Sequence, residues 1–327
     1  MKTFKWTAWG GLALAITTPI SAQAPQAAQA RAAQTATGQA AAQARGPGRE
    51  NSFPAIASGA WSGARTADGQ PDVSGFWSNT IGNHQNFTDP QGGKQHPERP
   101  HAPSRVSDPA DGELPYLPAA RALQEDFARH AENPSKESYI EPLVRCAPAG
   151  VPKTFTWHGF EIRQYPDKVF LWFNSGWRLI HLDGSPHLDP SIKLWQGDSR
   201  GHWEGNTLVV ETTNNNGKAL FDRNGNYMSE NATAVERFVF QPDGKRFNYV
   251  VTITDPTVYS RSWTATIPVR RYTTADKPDG WNYEVSVANH PGAPVAVEWI
   301  ERTCVENNAG FGGGAVGVPS SAVVIAR

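Results

Sequence analysis

The sequence predicts an all-β fold, which we interpret as an antiparallel barrel of lipocalin-like character rather than a two-sheet sandwich. From about residue 155 onward, strand-like segments alternate with turn residues roughly every 8 to 12 positions. The 30 Gly and 26 Pro supply turns, and almost no helical periodicity separates the segments. A regular meander of long strands favours closure into a barrel, and a sandwich is the alternative.

Most of the predicted strands carry β-branched or aromatic residues and are bounded by turn sequences such as Pro242-Asp243-Gly244. The segments are 167–173, 177–183, 208–213, 235–241, 245–255, 260–271, 281–288 and 295–303. One more strand, DVSGFWS at 72–78, is predicted within a loop-rich arm that spans residues 46 to 115.

A single helix is predicted at residues 117–133. Apolar residues recur there at three- and four-residue steps and form one stripe: Leu117, Ala120, Leu123, Phe127 and Ala131. Pro118 suits the first turn, and the pair Asn133-Pro134 ends the helix.

The N-terminus predicts export. Residues 1–22 combine Lys2 and Lys5 with an apolar run to about Ile20 and small residues before a cleavage site after Ala22. This run is too short to cross a bilayer, and no later segment is apolar enough for a transmembrane helix. We therefore expect a periplasmic or secreted protein with no integral membrane segment. Residues 23–45 form an Ala/Gln-rich tether that we expect to be disordered, and residues 46–327 form a single β-rich domain.

Two cysteines, Cys146 and Cys304, fit a disulfide in an oxidising compartment. The chain-entropy model gives such a long loop a stabilisation of about 4–5 kcal/mol before strain. A thiolate nucleophile is the alternative, but neither cysteine lies beside a histidine or at a predicted helix start.

Composition excludes several classes of function. The net charge is −1 and the chain has no Lys/Arg run, so a nucleic-acid partner is not expected. No phosphate-binding loop or dinucleotide fingerprint occurs, because GFGGG at 310–314 follows the last predicted strand. Two histidines and two aspartates crowd residues 181–189 without the plan of a zinc site. We expect neither a cofactor nor a metal. The 12 Trp suit a small hydrophobic or aromatic ligand.

The stretch WQGDSRGHWEGNTLVVETT, at 195–213, predicts a hairpin turning at Gly205-Asn206. The expected register pairs Glu204 with Thr207, and Arg200 with Glu211 as a cross-strand ion pair. Trp203 would then face the core, and the charged face would meet either solvent or a barrel lumen. GDSRG matches Gly-x-Ser-x-Gly by position, but no helix follows, so we interpret it as a glycine-flanked bend.

Five segments carry a resemblance to a large family of exported bacterial proteins: ADGQPDVSGFW, LDGSPH, GDSRGHWEGNTLVVETT, MSENATAVERF and DPTVYSRSWT. The resemblance covers nearly all of the chain after the Ala/Gln tether. The family motifs carry over to His187, Ser199, Trp203, Glu204, Gly205, Ser229, Glu230, Glu236, Arg237, Asp255, Tyr259 and Trp263. Asn206 stands where the family usually has Asp, which argues against a catalytic acid there. Asp198 and His202 fall at positions that vary in the family.

The residues that best suit catalysis form a general acid/base set: His187, Glu236, Tyr259, Arg261 and Glu204. His187 or Glu236 would move a proton, and Tyr259 or Arg261 would hold a developing oxyanion. Four residues are candidates for substrate binding: Trp203, Trp263, Arg237 and Trp172. The VERF segment places Glu236 and Arg237 on opposite faces, so one of them would point inward. A buried Glu–Arg pair that fixes strand register is the alternative reading of this site.

The function that we predict is an exported, cofactor-independent lyase or isomerase. It would act by acid/base chemistry on a small aromatic or lipophilic molecule, with carbon–carbon cleavage of an aromatic side chain as one form of the reaction. A periplasmic carrier of hydrophobic molecules is the alternative. A structural module of the cell envelope is the third hypothesis.

Overall fold

The computed structural model describes residues 55–78, 87–89, 103–131, 134–156, 160–173, 176–222 and 224–271. Several predicted features lie outside these residues: the signal peptide, the Ala/Gln-rich tether, the strands at 281–288 and 295–303, and Cys304. The pairing of Cys146 with Cys304 therefore stays a prediction.

Ten strands form the sheet. They are β1 (Gly75–Ser78), β2 (Val106–Asp108), β3 (Phe160–Tyr165), β4 (Lys168–Phe173), β5 (Gly176–His181), β6 (Asp198–Glu204), β7 (Thr207–Thr213), β8 (Thr233–Phe240), β9 (Arg246–Thr254) and β10 (Trp263–Arg271). Helix α1 spans Pro118–His130, and short 3-10 helices span Glu137–Tyr139, Pro142–Arg145 and Lys153–Thr156.

The sheet closes into a barrel of nine strands, which confirms the predicted all-β barrel. The strand order is β1-β3-β4-β5-β6-β7-β8-β9-β10, and β1 pairs again with β10. Strand β2 adds to β10 at Thr264 and Ala265, while β1 pairs with the other end of β10 at Arg270 and Arg271. All these pairings are antiparallel except β5 with β6, which run parallel. The prediction of a purely antiparallel sheet was wrong at this one junction.

The inward face of the barrel is filled by aromatic side chains. Phe155, from the 3-10 helix at Lys153–Thr156, stacks on Tyr249 at a ring separation of 3.8 Å. It also meets Phe173 and Phe238 edge-on, and all four rings are buried. Burial of this many large rings is the main favourable term for the fold, at about 25 cal/mol per Å² of apolar surface.

Helix α1 is shorter than predicted and its apolar stripe is only partly correct. Ala120 is buried as expected, but Leu123 is 65 % exposed. The polar Gln124 is buried instead, and its amide donates to the backbone carbonyl of Asn224 at 2.6 Å. Sequence periodicity gives the direction of a helix face only approximately, and here a polar side chain with its hydrogen bond satisfied takes one of the buried positions.

Candidate functional site

The hairpin of β6 and β7 has the predicted register. Glu204 pairs with Thr207, and Arg200 with Glu211. Gly205 takes a positive φ of 59° at the turn. Trp203 turns inward and packs on Phe240 with ring centroids 5.9 Å apart. The charged side chains of β6 therefore lie on the outer face of the barrel. The loop at 182–197 contacts this face through Asp198.

Asp198 organises this outer face. Its carboxylate is buried and accepts hydrogen bonds from the guanidinium of Arg200, at 3.1 and 3.2 Å, and from the backbone N–H of Leu188, at 3.2 Å. Nδ1 of His187 lies 2.7 Å from Asp198 Oδ2. The ion pair expected between Arg200 and Glu211 is replaced by this contact, because Asp198 lies two residues away on the same face of the same strand.

The second ring nitrogen of His187, Nε2, differs from Nδ1 in its surroundings. Nε2 is shielded from solvent and has no hydrogen-bond partner among the described residues, although 27 % of the side chain is exposed. With Nδ1–H donated to Asp198, Nε2 carries the lone pair and can accept a proton. A carboxylate that fixes the tautomer of a histidine in this way is the arrangement found in acid/base and nucleophilic catalysis. We call His187 and Asp198 the His–Asp pair.

Asn214 fixes the loop that carries His187. Its backbone adopts a left-handed conformation with φ of 58°, directly after β7. Its side-chain Nδ2 lies 2.8 to 3.3 Å from three backbone carbonyls of the loop, those of Leu188, Asp189 and Ile192. The hydroxyl of Thr213 donates to Asn214 Oδ1 at 2.6 Å, which sets the orientation of the amide. The Asn214 side chain thus anchors the loop to the end of β7.

Glu236 lies on the opposite, inner face and is fully engaged. Both of its carboxylate oxygens accept from the Arg178 guanidinium, at 2.5 and 2.7 Å. The hydroxyls of Thr212 and Tyr249 donate to it at 2.8 Å each, and Ser199 Oγ accepts from Arg178. The prediction that either Glu236 or Arg237 points inward is confirmed, and Glu236 is the one that does. Its contact with Arg178 is the buried Glu–Arg pair that stood as the alternative interpretation. Ser199 belongs to strand β6 and not to a bend, so that part of the prediction was wrong.

Tyr259 belongs to a separate cluster at the loop before β10. Its hydroxyl donates to the backbone carbonyl of Tyr227 at 2.6 Å, and its ring lies 4.8 Å from that of Tyr116. Burial raises the pKa of Tyr259 well above its ordinary value, so the phenol stays protonated near neutrality. Arg261 is about half exposed and forms an ion pair with Asp108 at 3.0 Å. Neither residue shares the cluster of the His–Asp pair.

The remaining predicted residues divide between surface and core. Glu204 accepts from Arg237 at 2.6 Å on the exposed outer face. These two side chains bind each other, which lowers the pKa of Glu204. Trp263, predicted to bind substrate, is fully buried among Phe87, Phe221 and Tyr259. Trp172 alone among the predicted tryptophans faces outward.

The structure thus separates the five predicted catalytic residues into different hydrogen-bond clusters. Glu236 and Tyr259 are enclosed by protein partners, and Glu204 and Arg261 are held in surface ion pairs. His187 is the member whose ring nitrogen Nε2 lacks a hydrogen-bond partner within the described ranges. Sequence reasoning missed Arg178 and Asn214. It also gave little weight to Asp198, although the alternation of Asp198 with Arg200 already placed them on one strand face.

Within the described residues, no group of three or more His, Cys, Asp and Glu side chains is placed to hold a metal ion. In the same part of the chain, no helix combines the length and apolar character that crossing a bilayer requires. No protein-family model, curated protein or solved structure matches the chain.

Proposed function

We propose that the protein is an exported, cofactor-independent enzyme of the lyase or isomerase type, in which His187 is the acid/base. The observation that carries this proposal is the His–Asp pair: Asp198 holds Nδ1 at 2.7 Å, and Nε2 has no hydrogen-bond partner in the part of the chain that the structure describes. A shielded ring nitrogen without a hydrogen bond is costly unless something outside the protein binds it. A substrate hydroxyl is the partner that we infer.

The chemistry proposed for this pair is proton transfer coupled to carbon–carbon cleavage. Nε2 removes the proton of a substrate hydroxyl, and the electron pair of the adjacent carbon–carbon bond moves onto a carbonyl-stabilised carbon. The imidazolium then returns the same proton to that carbon, so no oxidant or reductant is needed. Asp198 stabilises the imidazolium, and Arg200 keeps Asp198 in place. General acid/base catalysis of this kind contributes about 10² to 10⁴ in rate.

The substrate class proposed is small and lipophilic or aromatic. Its support is the loop that carries His187, which exposes three aliphatic side chains by 38 to 44 %: Leu188, Ile192 and Leu194. Isolated apolar residues on a surface are common, but three on a loop held by Asn214 form a prearranged apolar rim. The inner face of the barrel, in contrast, is occupied by the packed rings of the core.

The test uses the aldol of benzaldehyde with acetone, which yields its two parents on cleavage, and product analysis by mass spectrometry. Wild-type protein should release benzaldehyde, and the variants His187→Ala and Asp198→Asn should lose at least about 100-fold in kcat/KM. His202→Ala is the matched control, because His202 is exposed on β6, the strand that carries Asp198, and binds Glu204. Equal turnover in His187→Ala and wild type would refute the role of His187.

A carrier of hydrophobic molecules is the competing function, and the exposed apolar rim favours it. The two functions differ in what happens to a bound molecule. A carrier returns the aldol unchanged, and its affinity does not depend on the histidine. An enzyme converts the aldol, and it keeps affinity but loses turnover when His187 is replaced.

We also propose that the chain is a member of the exported bacterial family whose motifs it resembles, that it lies in the periplasm or is secreted, and that Cys146 binds Cys304 in a disulfide. The placement of the motifs supports family-wide structural roles. Ser229, for example, donates through both its backbone N–H and its hydroxyl to Asp255 at 2.6 and 3.0 Å. Mass analysis of the secreted protein with and without reductant tests cleavage after Ala22 and the disulfide together.

A further inference from the structure

Three aromatic side chains form a platform on the outer face of the barrel. Phe170 and Trp172 on β4 and Trp177 on β5 point outward, and Trp172 and Trp177 stand directly opposite each other. Phe170 stacks on Trp177 with ring centroids 5.6 Å apart and planes 20° apart. Trp177 is 59 % exposed. Burial of large aromatic rings is strongly favourable, so an ordered cluster left this open to water points to a binding surface. We call these three residues the aromatic platform.

The charges around the platform cancel. Arg163 donates to Glu161 at 2.9 Å, and its guanidinium lies 5.7 Å from the Trp172 ring. Lys168 binds Asp167 at 3.0 Å. Each of these cations is therefore paired with a carboxylate at the edge of the platform. A surface of this kind offers stacking without net charge, which suits an uncharged partner and gives no advantage to a nucleic acid or an anionic lipid.

The platform is continuous with the His–Asp pair. Strands β5 and β6 are parallel, with His181 beside Arg200. The same register sets Trp177 beside Gln196, whose side-chain amide donates to the Trp177 carbonyl at 2.7 Å. It also sets Leu179 beside Asp198, on the outer face. With strands about 4.8 Å apart and same-face residues about 7 Å apart, the backbone of Trp177 lies roughly 8–10 Å from that of Asp198.

We propose that the aromatic platform is the subsite for an uncharged aromatic ring of the molecule on which His187 acts. This inference rests on the proposed function and names its substrate class. The ring stacks on the open face of Trp177, and the attached side chain reaches past Leu179 to His187. The strand register places the backbone of Asp198, the partner of His187, on the same outer face as Trp177 and Leu179. The core tryptophan Trp263 has no such open face.

The experiment measures binding without turnover. Veratryl alcohol, an uncharged aromatic probe, is titrated into the full-length protein and followed by ligand-observed NMR. Trp177→Ala should weaken its affinity at least tenfold. Leu123→Ala is the control, since Leu123 is exposed on helix α1 and should bind the probe like wild type. Thermal unfolding confirms that both variants are folded.

Two results overturn the proposal. The first is unchanged affinity for veratryl alcohol in Trp177→Ala. The second is a different occupant of the same surface: tighter binding of cellobiose than of veratryl alcohol, or a dimer in solution that Trp177→Ala converts to monomer. His187→Ala separates this inference from the proposed function, because it should retain probe binding while losing aldol cleavage. Wild-type protein that binds the probe at Trp177 but cleaves no aldol leaves the subsite in place and favours the carrier.

Discussion

At the scale of the residue, the buried pair of Arg178 and Glu236 has the largest energetic consequence. Each charge is almost completely removed from water, and each is satisfied by hydroxyl groups as well as by its partner. Moving an ion into a protein interior costs several kcal/mol, and mutual attraction repays this only with good geometry. The bidentate contact and the three hydroxyls supply that geometry. This network fixes β5, β6, β7 and β8 relative to one another.

We predict that removing one charge of this pair is worse than removing both. Arg178→Met should lower the free energy of unfolding by about 3–5 kcal/mol, because Glu236 is left charged in the core. Arg178→Met combined with Glu236→Met should recover part of that loss. Urea unfolding of wild type, both single variants and the double variant measures the coupling. Strict additivity of the two single effects would contradict a direct interaction between the charges.

Asp222 gives a second residue-scale prediction, on pH. Burial raises its pKa from 3.8 to about 6, against four N–H donors that favour the ionised form: the backbone N–H groups of Phe87, Asn224 and Asn226, and the side-chain amide of Asn226. A raised carboxyl pKa stabilises the fold below pH 4, and this contribution is lost as the pH rises through 6. Relative to Asp222→Asn, wild type should therefore lose about 2–3 kcal/mol of unfolding free energy between pH 4 and pH 7.

Urea unfolding of both proteins across that pH range checks this prediction. Hydrogen bonds lost in the variant shift its stability by a constant amount, so the comparison depends only on the slope. Parallel pH profiles would mean that Asp222 is ionised at its ordinary pKa.

The sequence predicts some residue roles and not others for a simple physical reason. Strand alternation correctly placed Glu236 and Arg237 on opposite faces, since successive side chains on a strand face opposite sides, but it did not decide which of the two is buried. The identity of its partner depends on how strands 58 residues apart in sequence meet across the barrel. The local sequence pattern does not show which residues of β5 and β8 come into contact, so Arg178 was missed. Trp263 was missed as a core residue because a buried tryptophan and a ligand-binding tryptophan look alike in sequence.

At the scale of the element, prediction succeeded where contacts are local. The β6–β7 hairpin was predicted with its full register, because a two-residue turn determines every pair on either side. Strand β3 was missed, although it follows closely on Phe155 and precedes a tight turn at Pro166-Asp167. The parallel pairing of β5 with β6 was also missed. These two strands are joined by the 182–197 loop, which is hydrogen-bonded to the side chain of Asn214, beyond the next two strands.

Asn214 carries the element-scale prediction. Asn214→Gly keeps the left-handed conformation and removes the side-chain amide, with its three carbonyl contacts and its contact with the Thr213 hydroxyl. We expect it to cost about 1–2 kcal/mol. Amide exchange should increase at residues 188–192, and turnover should fall because His187 is held less firmly against Asp198. Asn214→Ala should cost about 1 kcal/mol more, since alanine is strained at a positive φ.

Hydrogen exchange measured by mass spectrometry, with exchange in the β8–β9 hairpin as the internal reference, tests this loop. Faster exchange throughout the protein would indicate global destabilisation. Unchanged exchange at 188–192 would show that the loop holds its shape without Asn214.

At the scale of the whole molecule, the two faces of the barrel differ in what they carry. The inner face holds the packed rings and the Arg178–Glu236 network, which hold the strands together. The outer face of β4, β5 and β6 holds the aromatic platform and the His–Asp pair, side by side. A closed barrel makes this division possible, because the stabilising contacts are buried inside it and its outer surface stays free for other contacts. The sequence left open whether the charged face of the β6–β7 hairpin meets solvent or a barrel lumen, and in the structure it lies on the outer surface.

Closure of the barrel depends on the short strand β1, and the tryptophans allow a matched test of this. Trp77 on β1 is fully buried, lies 5.0 Å from Phe247, and its indole N–H donates to the Val73 carbonyl. Arg271 of β10 covers the same ring at 4.5 Å, so one side chain joins the two strands that close the barrel. Trp77→Ala should cost about 3–5 kcal/mol. Trp177→Ala, which removes a 59 % exposed ring, should cost less than about 0.5 kcal/mol.

Thermal and urea unfolding of the two variants measure this contrast, and size-exclusion chromatography reports whether an opened barrel associates through its free edges. The two substitutions remove the same atoms, so any difference in stability comes from where the ring lies. A large loss in Trp177→Ala would mean that the aromatic platform supports the fold, and its exposure could then no longer be taken as a sign of binding. A small loss in Trp77→Ala would mean that β3 and β10 stay together without the ring between them, and the barrel would not depend on β1 for its closure.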